Sequence, residues 1–270
     1  MGDFFISVDD LRALIGGPSA PLVFDVRKRD AFDSTEHILP TARWRDHALA
    51  ETWADGLPTG AHVVLYCVHG HQVSQSAAAA LREQGIAAQV LMGGYEAWQT
   101  SGAPVVSKAA LPDRNDGAPT RWVTRVRPKI DRIACPWLIR RFIDPDARFY
   151  FVEPSQVVAA ARELQAIPYD VEDVDFTHEG PQCTFDTLLR RFGLIDKALS
   201  ELALIVRGAD TGRFDVVPEA AGLLAVSLGI SALSGADDKA ALERGMPVYD
   251  ALYAWRRQAG TEVHGWPPAK

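Results

Sequence analysis

The chain has 270 residues, of which 47% are hydrophobic and 23% are charged, with a formal net charge of −7 at pH 7. This length suits two domains that each bury a core, and the acidic balance disfavours a general nucleic-acid binder. The apolar run from Leu223 to Ile230 is among the longest, yet it is far too short to span a bilayer and contains Ser227 and Gly229.

The amino terminus and the cysteine count predict the cellular compartment. The segment from Met1 to Phe5 has neither the basic start nor the sustained apolar core of a signal peptide. Three cysteines, an odd and small number, indicate reduced thiols and not a disulfide framework. We therefore expect a cytoplasmic protein without membrane contact, in which each cysteine is available for chemistry.

The first part of the chain alternates between strand and helix patterns. Its predicted elements are a helix over 8–15, a strand over 22–26, a helix over 48–54, a strand over 62–66, a helix over 73–84, a strand over 88–91 and a short helix through Tyr95 and Trp98. This alternation predicts a parallel sheet with helices on both faces and a site at the carboxyl ends of the strands. Asp25, Arg27 and Cys67 then lie near one edge of that sheet.

Cys67 stands between a buried strand and the start of a helix. Unpaired amides at a helix start carry partial positive charge, so they favour a thiolate and can bind an anionic substrate beside it. Cys67 is therefore a candidate nucleophile. The alternative is a buried structural cysteine, since free cysteine is among the most buried residue types. The local pattern leaves both interpretations open.

Five short motifs follow one another in this part of the chain. They are Asp25-Val26-Arg27, His37-Ile38, Tyr66-Cys67-Val68-His69-Gly70, the segment from Leu91 to Trp98, and the segment from Gly102 to Val105. Together they resemble a single-domain rhodanese. The resemblance implies a parallel sheet flanked by helices. It also implies that Cys67 accepts a sulfane sulfur from a small donor, becomes a persulfide and passes the sulfur to a thiol acceptor.

The implied active-site loop departs from the rhodanese pattern at its end. Its residues are Val68, His69, Gly70, His71 and Gln72. Gln72 stands where the family usually has Arg or Lys, so a fixed cation for a thiosulfate-like anion is missing. His69 and His71 either supply part of that charge when protonated or are solvated or packing residues. Asp25 and Arg27 form either an ion pair that orders the site or a surface pair of little energetic value.

A Pro- and Gly-containing segment separates the two parts. Residues 107–119 include Pro112, Gly117 and Pro119 and few large apolar side chains, which is the composition of a linker. We therefore predict one domain over residues 1–106, a linker over 107–119 and a second domain over 120–270.

The second part predicts a helix-rich α+β domain with a small sheet. Its predicted elements are strands over 121–126, 149–152 and 174–178 and helices over 154–165, 184–192, 195–207, 218–233 and 237–258, with a loop at 207–211. A further helix follows Ile130. Pro136 predicts that this helix begins at or just after Cys135, which would place that cysteine near a positive helix terminus.

The start of the second part is the most basic stretch of an acidic chain. Four side chains in it are candidates for binding a small oxyanion: Arg125, Arg127, Lys129 and Arg132. The alternative is a solvated helix face. Further along, His178, Glu179 and Cys183 are suitable metal ligands, although they match no zinc-site spacing.

A second set of motifs covers nearly all of residues 121–270. It includes the segment from Asp131 to Phe142, His178-Glu179-Gly180, Cys183-Thr184-Phe185, Asp210 and the segment from Tyr249 to Tyr253. These motifs resemble the C-terminal domain of ChrB-type chromate-resistance proteins. The resemblance implies a sensor or detoxification context. The rhodanese-like part stands where a regulator would carry its own N-terminal segment, so no nucleic-acid partner is expected.

The sequence supports two competing functions. The first is a sulfurtransferase that forms a persulfide at Cys67, linked to chromate or oxyanion resistance, with chromate or glutathione adducts as further partners. The second is a non-catalytic binding or sensing protein for chromium species or a metal ion. The candidate ligands for a divalent ion in the second domain are Cys135, His178, Glu179 and Asp210. No other cofactor is expected.

Overall fold

Strands and helices alternate along the computed structural model, which describes residues 3–112, 118–260 and 262. The strands are β1 (Phe5–Ile6), β2 (Leu22–Asp25), β3 (His37–Ile38), β4 (Arg43–Trp44), β5 (His62–Tyr66), β6 (Ala87–Leu91), β7 (Val106–Ser107), β8 (Arg121–Arg125), β9 (Arg148–Val152) and β10 (Ile167–Pro168). The helices are α1 (Val8–Leu14), α2 (Arg29–Asp33), α3 (Ala50–Trp53), α4 (Gln72–Glu83), α5 (Gly94–Thr100), α6 (Asp131–Leu138), α7 (Val157–Glu163), α8 (Thr184–Phe192), α9 (Lys197–Asp210), α10 (Glu219–Ser234) and α11 (Asp238–Ala254). None of these helices is both long and apolar enough to span a membrane.

The first sheet is parallel and is buried on both faces. Its strand order is β1-β6-β5-β2-β4. In the central strand β5, Val64 and Tyr66 join one core cluster, while Val63 and Leu65 join another that contains Leu81 of α4. This division follows from the alternation of side chains along a strand. The predicted α/β class, a parallel sheet flanked by helices, is confirmed.

The second part has a smaller parallel sheet and a larger share of helix, as predicted. β8 lies between β10 and β9 and runs parallel to both. Helices α8 to α11 account for most of the chain after residue 183. Because β8 and β10 are neighbours with the same direction, the segments that follow them emerge at the same edge of the sheet.

The two parts of the chain share one hydrophobic cluster. The first part approaches the second closely at Gly16, which has φ +80°. A Cβ on Gly16 would lie 2.5 Å from the Phe142 ring and 2.7 Å from the Tyr253 ring. The guanidinium of Arg43 also lies 3.3 Å from Asp144 and 2.5 Å from Asp146. These contacts join the first sheet to the helices of the second part.

The predicted linker contains ordered structure at its start. Ser107 belongs to β7, which pairs with β3 in an antiparallel ribbon, and Leu111 packs against the shared core. Gly117 lies outside the described residues. The domain division at residues 107–119 stays a prediction.

Three predicted elements of the second part are wrong. There is no strand over residues 174–178, because the backbone turns at Asp170 and Asp173, which have φ of 54° and 60°. The helix predicted to begin near Cys135 begins at Asp131, with Pro136 inside it. Residues 207–210 are not a loop but the last turn of α9.

Pro136 is tolerated within the helix because the Tyr169 side chain supplies a hydrogen bond in place of the missing one. In a regular helix the amide at position 136 would donate to the carbonyl of Arg132, and proline has no amide proton. The Tyr169 hydroxyl donates to that carbonyl instead, at 3.4 Å. Tertiary packing therefore overrides the sequence signal for a helix start.

Candidate functional site

Cys67 directly follows β5 and precedes the first turn of α4. It is 6% exposed, and the loop from Val68 to His71 leads from it into the helix. Residue 67 thus lies at the carboxyl edge of the sheet, where open α/β sheets place their ligand sites. The predicted position of Cys67 between strand and helix matches the structure.

Two glycines allow the turn after β6 to pack directly on the Cys67 loop. A Cβ on Gly94, which has φ +59°, would lie 2.4 Å from the Cys67 carbonyl oxygen. A Cβ on Gly70, which has φ +69°, would lie 2.4 Å from the Leu91 carbonyl oxygen. The Tyr95 amide also donates to the Cys67 carbonyl at 2.9 Å. The loop is therefore held by backbone contacts that only glycine permits.

The Cys67 thiol is surrounded by hydrogen-bond donors. Burial acts to raise its pKa, but hydrogen bonds from the Ser74 hydroxyl and from the amides of Ser74, His69 and His71 outweigh burial and lower the pKa. The Ser74 hydroxyl lies 3.2 Å from Sγ and 3.1 Å from the His71 carbonyl. Since a hydroxyl has one proton to donate, a thiolate would compete for it with a neutral carbonyl.

The remaining loop side chains point toward solvent. His69, His71 and Gln72 are exposed, and His69 Nδ1 lies 3.1 Å from the Glu96 carboxylate. The His69 and His71 ring centroids are 5.7 Å apart. The amide-lined thiol therefore lies beneath a loop whose polar side chains reach the surface.

Asp25 and Arg27 form a buried ion pair, so the alternative of a surface pair is wrong. Both side chains are 0% exposed. Arg27 Nε donates to both Asp25 carboxylate oxygens, at 2.9 and 3.0 Å, and the Tyr66 hydroxyl donates to Asp25 at 2.8 Å. The Arg27 guanidinium also stacks 4.1 Å from the centre of the Tyr95 ring. The pair thus links β2 with β5 and with the helix that holds the Cys67 loop.

A second polar cluster lies at the carboxyl edge of the second sheet. Three carboxylates surround one imidazole nitrogen: His178 Nε2 lies 3.5 Å from Asp131, 3.3 Å from Asp170 and 3.3 Å from Asp210. Asp131 and Asp170 are buried, whereas His178 is 40% exposed. We call these four residues the carboxylate–imidazole cluster.

The fold brings these residues together from distant parts of the sequence. Asp131 follows β8, Asp170 follows β10, and Asp210 ends α9. The turn before Asp131 is strained, because Ile130, a β-branched residue, has φ +35°. The Tyr249 hydroxyl donates to the Ile130 carbonyl at 2.7 Å and holds this turn. Such strain commonly marks functional sites.

Second-layer donors fix the two buried carboxylates. Asp131 accepts hydrogen bonds from the amides of Thr184 and Phe185, at 2.7 and 3.0 Å, at the start of α8. Asp170 accepts one from the Thr184 hydroxyl at 3.0 Å and one from Arg125 at 2.8 Å. Both carboxylates are therefore oriented independently of His178.

The cluster perturbs the protonation of its own members. Burial, with the nearby charges of Asp170 and Asp210, raises the pKa of Asp131 to about 6, against the lowering effect of a hydrogen bond from His178. Hydrogen bonds to Asp131, Asp170 and Asp210 raise the pKa of His178 to about 12. Burial opposes ionisation of Asp170, but hydrogen bonds from His178 and Arg125 lower its pKa. These shifts are typical of a functional site and also of an ion-pair network.

Only two of the four predicted metal ligands lie together. His178 and Asp210 do meet, while the Glu179 carboxylate turns to Arg190. Cys135 is buried in the middle of α6, and its thiol donates to Asp131 at 3.3 Å. Its predicted place near a positive helix terminus is wrong, and burial raises the pKa of its thiol.

The predicted oxyanion residues divide into two groups. Arg125 and Arg132 lie against the Asp170 carboxylate, at 2.8 and 3.3 Å, so their charges are already opposed. Arg127 is exposed and its amide binds Asp238, while Lys129 is half-buried. Two of the four basic side chains in this stretch are therefore paired with a carboxylate in the folded protein.

The sequence patterns assign no role to three residues at these sites. Ser74 lies in the first turn of α4, and its spacing from Cys67 is a sequence signal that could identify it as a partner of the thiol. Asp131 and Asp170 had no usable signal, because each is a single acidic residue whose partners lie far away in sequence. Cys183, considered as a ligand, instead caps α8, with its amide bound to Asp186 at 3.1 Å.

Two protein-family models match the chain. The model described as ChrB, C-terminal domain, matches residues 122–256, half of the chain. The model described as Rhodanese-like domain matches residues 7–101. A curated relative, Protein ChrB of Cupriavidus metallidurans, is 39% identical over 134 residues, which is 49% of this chain and 40% of that protein. The chain thus spans well under half the length of that relative.

Several solved structures are also similar to part of the chain. The BH2092 protein of Bacillus halodurans is 26% identical, with 38% of this chain and 75% of that chain covered and a TM-score of 0.34. The rhodanese homolog TT1651 of Thermus thermophilus is 28% identical, with 35% and 99% covered and a TM-score of 0.29. The hp1203 protein of Helicobacter pylori is 25% identical, with 42% and 97% covered and a TM-score of 0.33.

Proposed function

Because the chain belongs to the ChrB C-terminal domain family and also carries a rhodanese-like domain, we propose that Cys67 carries a sulfane sulfur as a persulfide, in a protein linked to chromate or oxyanion resistance. One observation carries the proposal. The Cys67 thiol lies under amides and a hydroxyl that lower its pKa. A thiolate is the nucleophilic form of cysteine, and the same donors suit an anionic sulfur donor.

The reaction has two balanced steps. The Cys67 thiolate attacks the outer sulfur of a donor such as thiosulfate; a sulfur–sulfur bond forms to Cys67, and sulfite leaves with the electron pair of the broken bond. A second nucleophile, a thiol or cyanide, then attacks the outer sulfur of the persulfide, and Cys67 departs as a thiolate. The amides of His69 and His71 stabilise negative charge on the cysteine sulfur in both steps.

A transfer assay with thiosulfate and mercaptopyruvate as donors, and cyanide or dithiothreitol as acceptor, tests this proposal. Cys67→Ser should abolish turnover and remove the mass gain of one sulfur atom. Cys183→Ser is the matched control, because serine caps a helix at least as well as cysteine. If wild-type protein neither turns over any donor nor gains a sulfur at Cys67, the proposal fails.

A second candidate function is cation binding in the second part, for a divalent metal ion or a chromium species. The observation that favours it is the proximity of Asp131, Asp170 and His178, whose ligand atoms all lie within 4.8 Å of one another. Metal analysis of purified wild-type and His178→Ala protein tests it. Equal metal content in both would remove the cluster as the binding site.

A further inference from the structure

The second sheet has one long edge strand that no other described strand covers. β9 is hydrogen-bonded only to β8. It has five residues, whereas the other edge strands of the two parallel sheets, β1, β4 and β10, have two each. Proteins usually keep edge strands short or cover them, because a free edge pairs with other chains. A strand of this length spans about 16 Å, which is room for an added strand of similar length.

The register of the sheet decides which backbone groups of β9 face outward. The Arg148 amide and the Val152 carbonyl form hydrogen bonds of 2.8 and 2.9 Å with residues that flank β8. Because alternate residues of a strand direct their backbone groups to the same neighbour, every second residue from Arg148 to Val152 faces β8. The amides and carbonyls of Phe149 and Phe151 therefore point away from the sheet. No hydrogen bond from the described part of the chain engages them.

A groove runs along this open edge. One stretch, of about 620 Å³, is lined by β9, by Leu164 after α7 and by the turn before α11. The adjoining stretch, of about 540 Å³, continues past Arg148 along α11. Both stretches include Phe149, Tyr150 and Lys239. The edge of β9 is therefore open to solvent between two walls, which is the shape that an extended chain requires.

The two faces of β9 favour apolar side chains in an added strand. Tyr150 and Val152 are half-buried and pack with Leu164. Phe149 and Phe151 lie on the opposite face and belong to or pack against the main core. Side chains of a neighbouring strand would lie beside these residues on each face. Apolar side chains at the centre of that strand would extend both packed layers.

The charge beside the groove favours an acidic partner. Arg148 and Lys239 are exposed, and neither forms an ion pair with another residue that the structure describes. The carboxylates that line the groove are already engaged by amides or guanidinium groups: Asp146, Asp237, Asp238 and Glu243. A second copy of this chain would bring the same two cations to the groove, whereas an acidic segment would oppose their charge.

We propose that the open edge of β9 binds an extended acidic segment of another polypeptide, which adds a fourth strand to the second sheet. Phe149 and Phe151 supply two amides and two carbonyls for backbone hydrogen bonds, and Arg148 and Lys239 meet carboxylates of the segment. This interaction goes beyond sulfur transfer and cation binding, since the edge shares no residue with the Cys67 site or with the carboxylate–imidazole cluster.

A capped, fluorescein-labelled peptide tests the proposal, with alternating valine and threonine flanked by aspartates at both ends. Fluorescence anisotropy should show binding to the full-length protein that weakens as salt is added. Proline at the valine positions keeps the charge but removes amide donors, so that peptide should not bind. Lys239→Glu should weaken binding by about 10-fold, because an exposed attraction becomes a repulsion. Lys197→Glu is the matched control, since Lys197 is also an exposed lysine in the first turn of a helix but lies outside the groove.

Hydrogen exchange locates the contact. The Phe149 and Phe151 amides should exchange fast in the free protein and slowly with the peptide, whereas the Tyr150 amide, which faces β8, should be slow in both. Four results would overturn the proposal: no binding up to about 1 mM peptide, binding without this protection, equal binding of the proline peptide, or unchanged binding by Lys239→Glu. Protection that rises with protein concentration, with a dimer mass in light scattering, would overturn it in favour of a second copy. Sulfur transfer at Cys67 is a separate measurement, so its failure would leave this test intact.

Discussion

The buried ion pair of the first sheet should contribute far more to stability than an exposed pair close by in sequence. Asp25→Asn keeps the shape of the side chain but leaves the Arg27 guanidinium without its counter-charge in a site that is 0% exposed. Removing one partner of a buried pair costs about 3–5 kcal/mol, because the other charge stays buried. With a urea m-value of about 2–3 kcal/mol/M, the unfolding midpoint should fall by roughly 1–2.5 M.

Asp33→Asn is the matched control. Asp33 pairs with Arg29 at 2.8 Å, but these side chains are 52% and 62% exposed, so the loss should stay below about 1 kcal/mol. Urea unfolding followed by tryptophan fluorescence measures both variants. Equal destabilisation by Asp25→Asn and Asp33→Asn would refute the reasoning, because burial would then add nothing to the cost of breaking the pair.

Three further predictions concern the thiols and the glycine contacts. Alkylation of Cys67 should reach half its maximal rate below the pH typical of a free cysteine, because hydrogen bonds lower the pKa of its thiol. The Ser74→Ala variant should shift this midpoint to higher pH. An unchanged midpoint in Ser74→Ala would contradict the role of Ser74. Cys135, which is 0% exposed, should be alkylated only after unfolding, as peptide mass mapping would show. Gly94→Ala should lower the melting temperature more than Gly85→Ala. Both glycines have positive φ, but only at Gly94 would the added Cβ lie 2.4 Å from a carbonyl oxygen. Equal decreases in melting temperature would mean that the Cys67 loop adjusts freely.

The Cys67 site could be predicted from the sequence because its parts are contiguous. A buried strand, one cysteine, a loop and a helix start fall within residues 62–74, and local geometry alone places the thiol among amides. Ser74 extends the same local pattern. The buried state of Asp25 and Arg27 could not be decided, because it depends on Tyr66 and Tyr95, which come from other elements.

The carboxylate–imidazole cluster could not be predicted because its members are joined only by the tertiary fold. Asp131 and Asp170 follow two strands that become neighbours through the β8–β10 pairing, and no repeat or spacing links them to Asp210. The sequence shows the basic stretch without its counter-charge for the same reason, since Asp170 is 45 residues from Arg125. Sequence patterns report charges but not which opposing charge folds against them.

Both sites include the backbone amides at a helix start, but these amides favour binding of an anion only at the first site. In the first part, the amides at the start of α4 face the Cys67 sulfur and remain suited to an anion. In the second part, the amides at the start of α8 are already bound to Asp131, and Asp170 opposes the charges of Arg125 and Arg132. A helix start whose amides already donate hydrogen bonds to a carboxylate of its own chain no longer attracts an external oxyanion. A small oxyanion should therefore prefer the Cys67 loop, whereas the second part should prefer a cation.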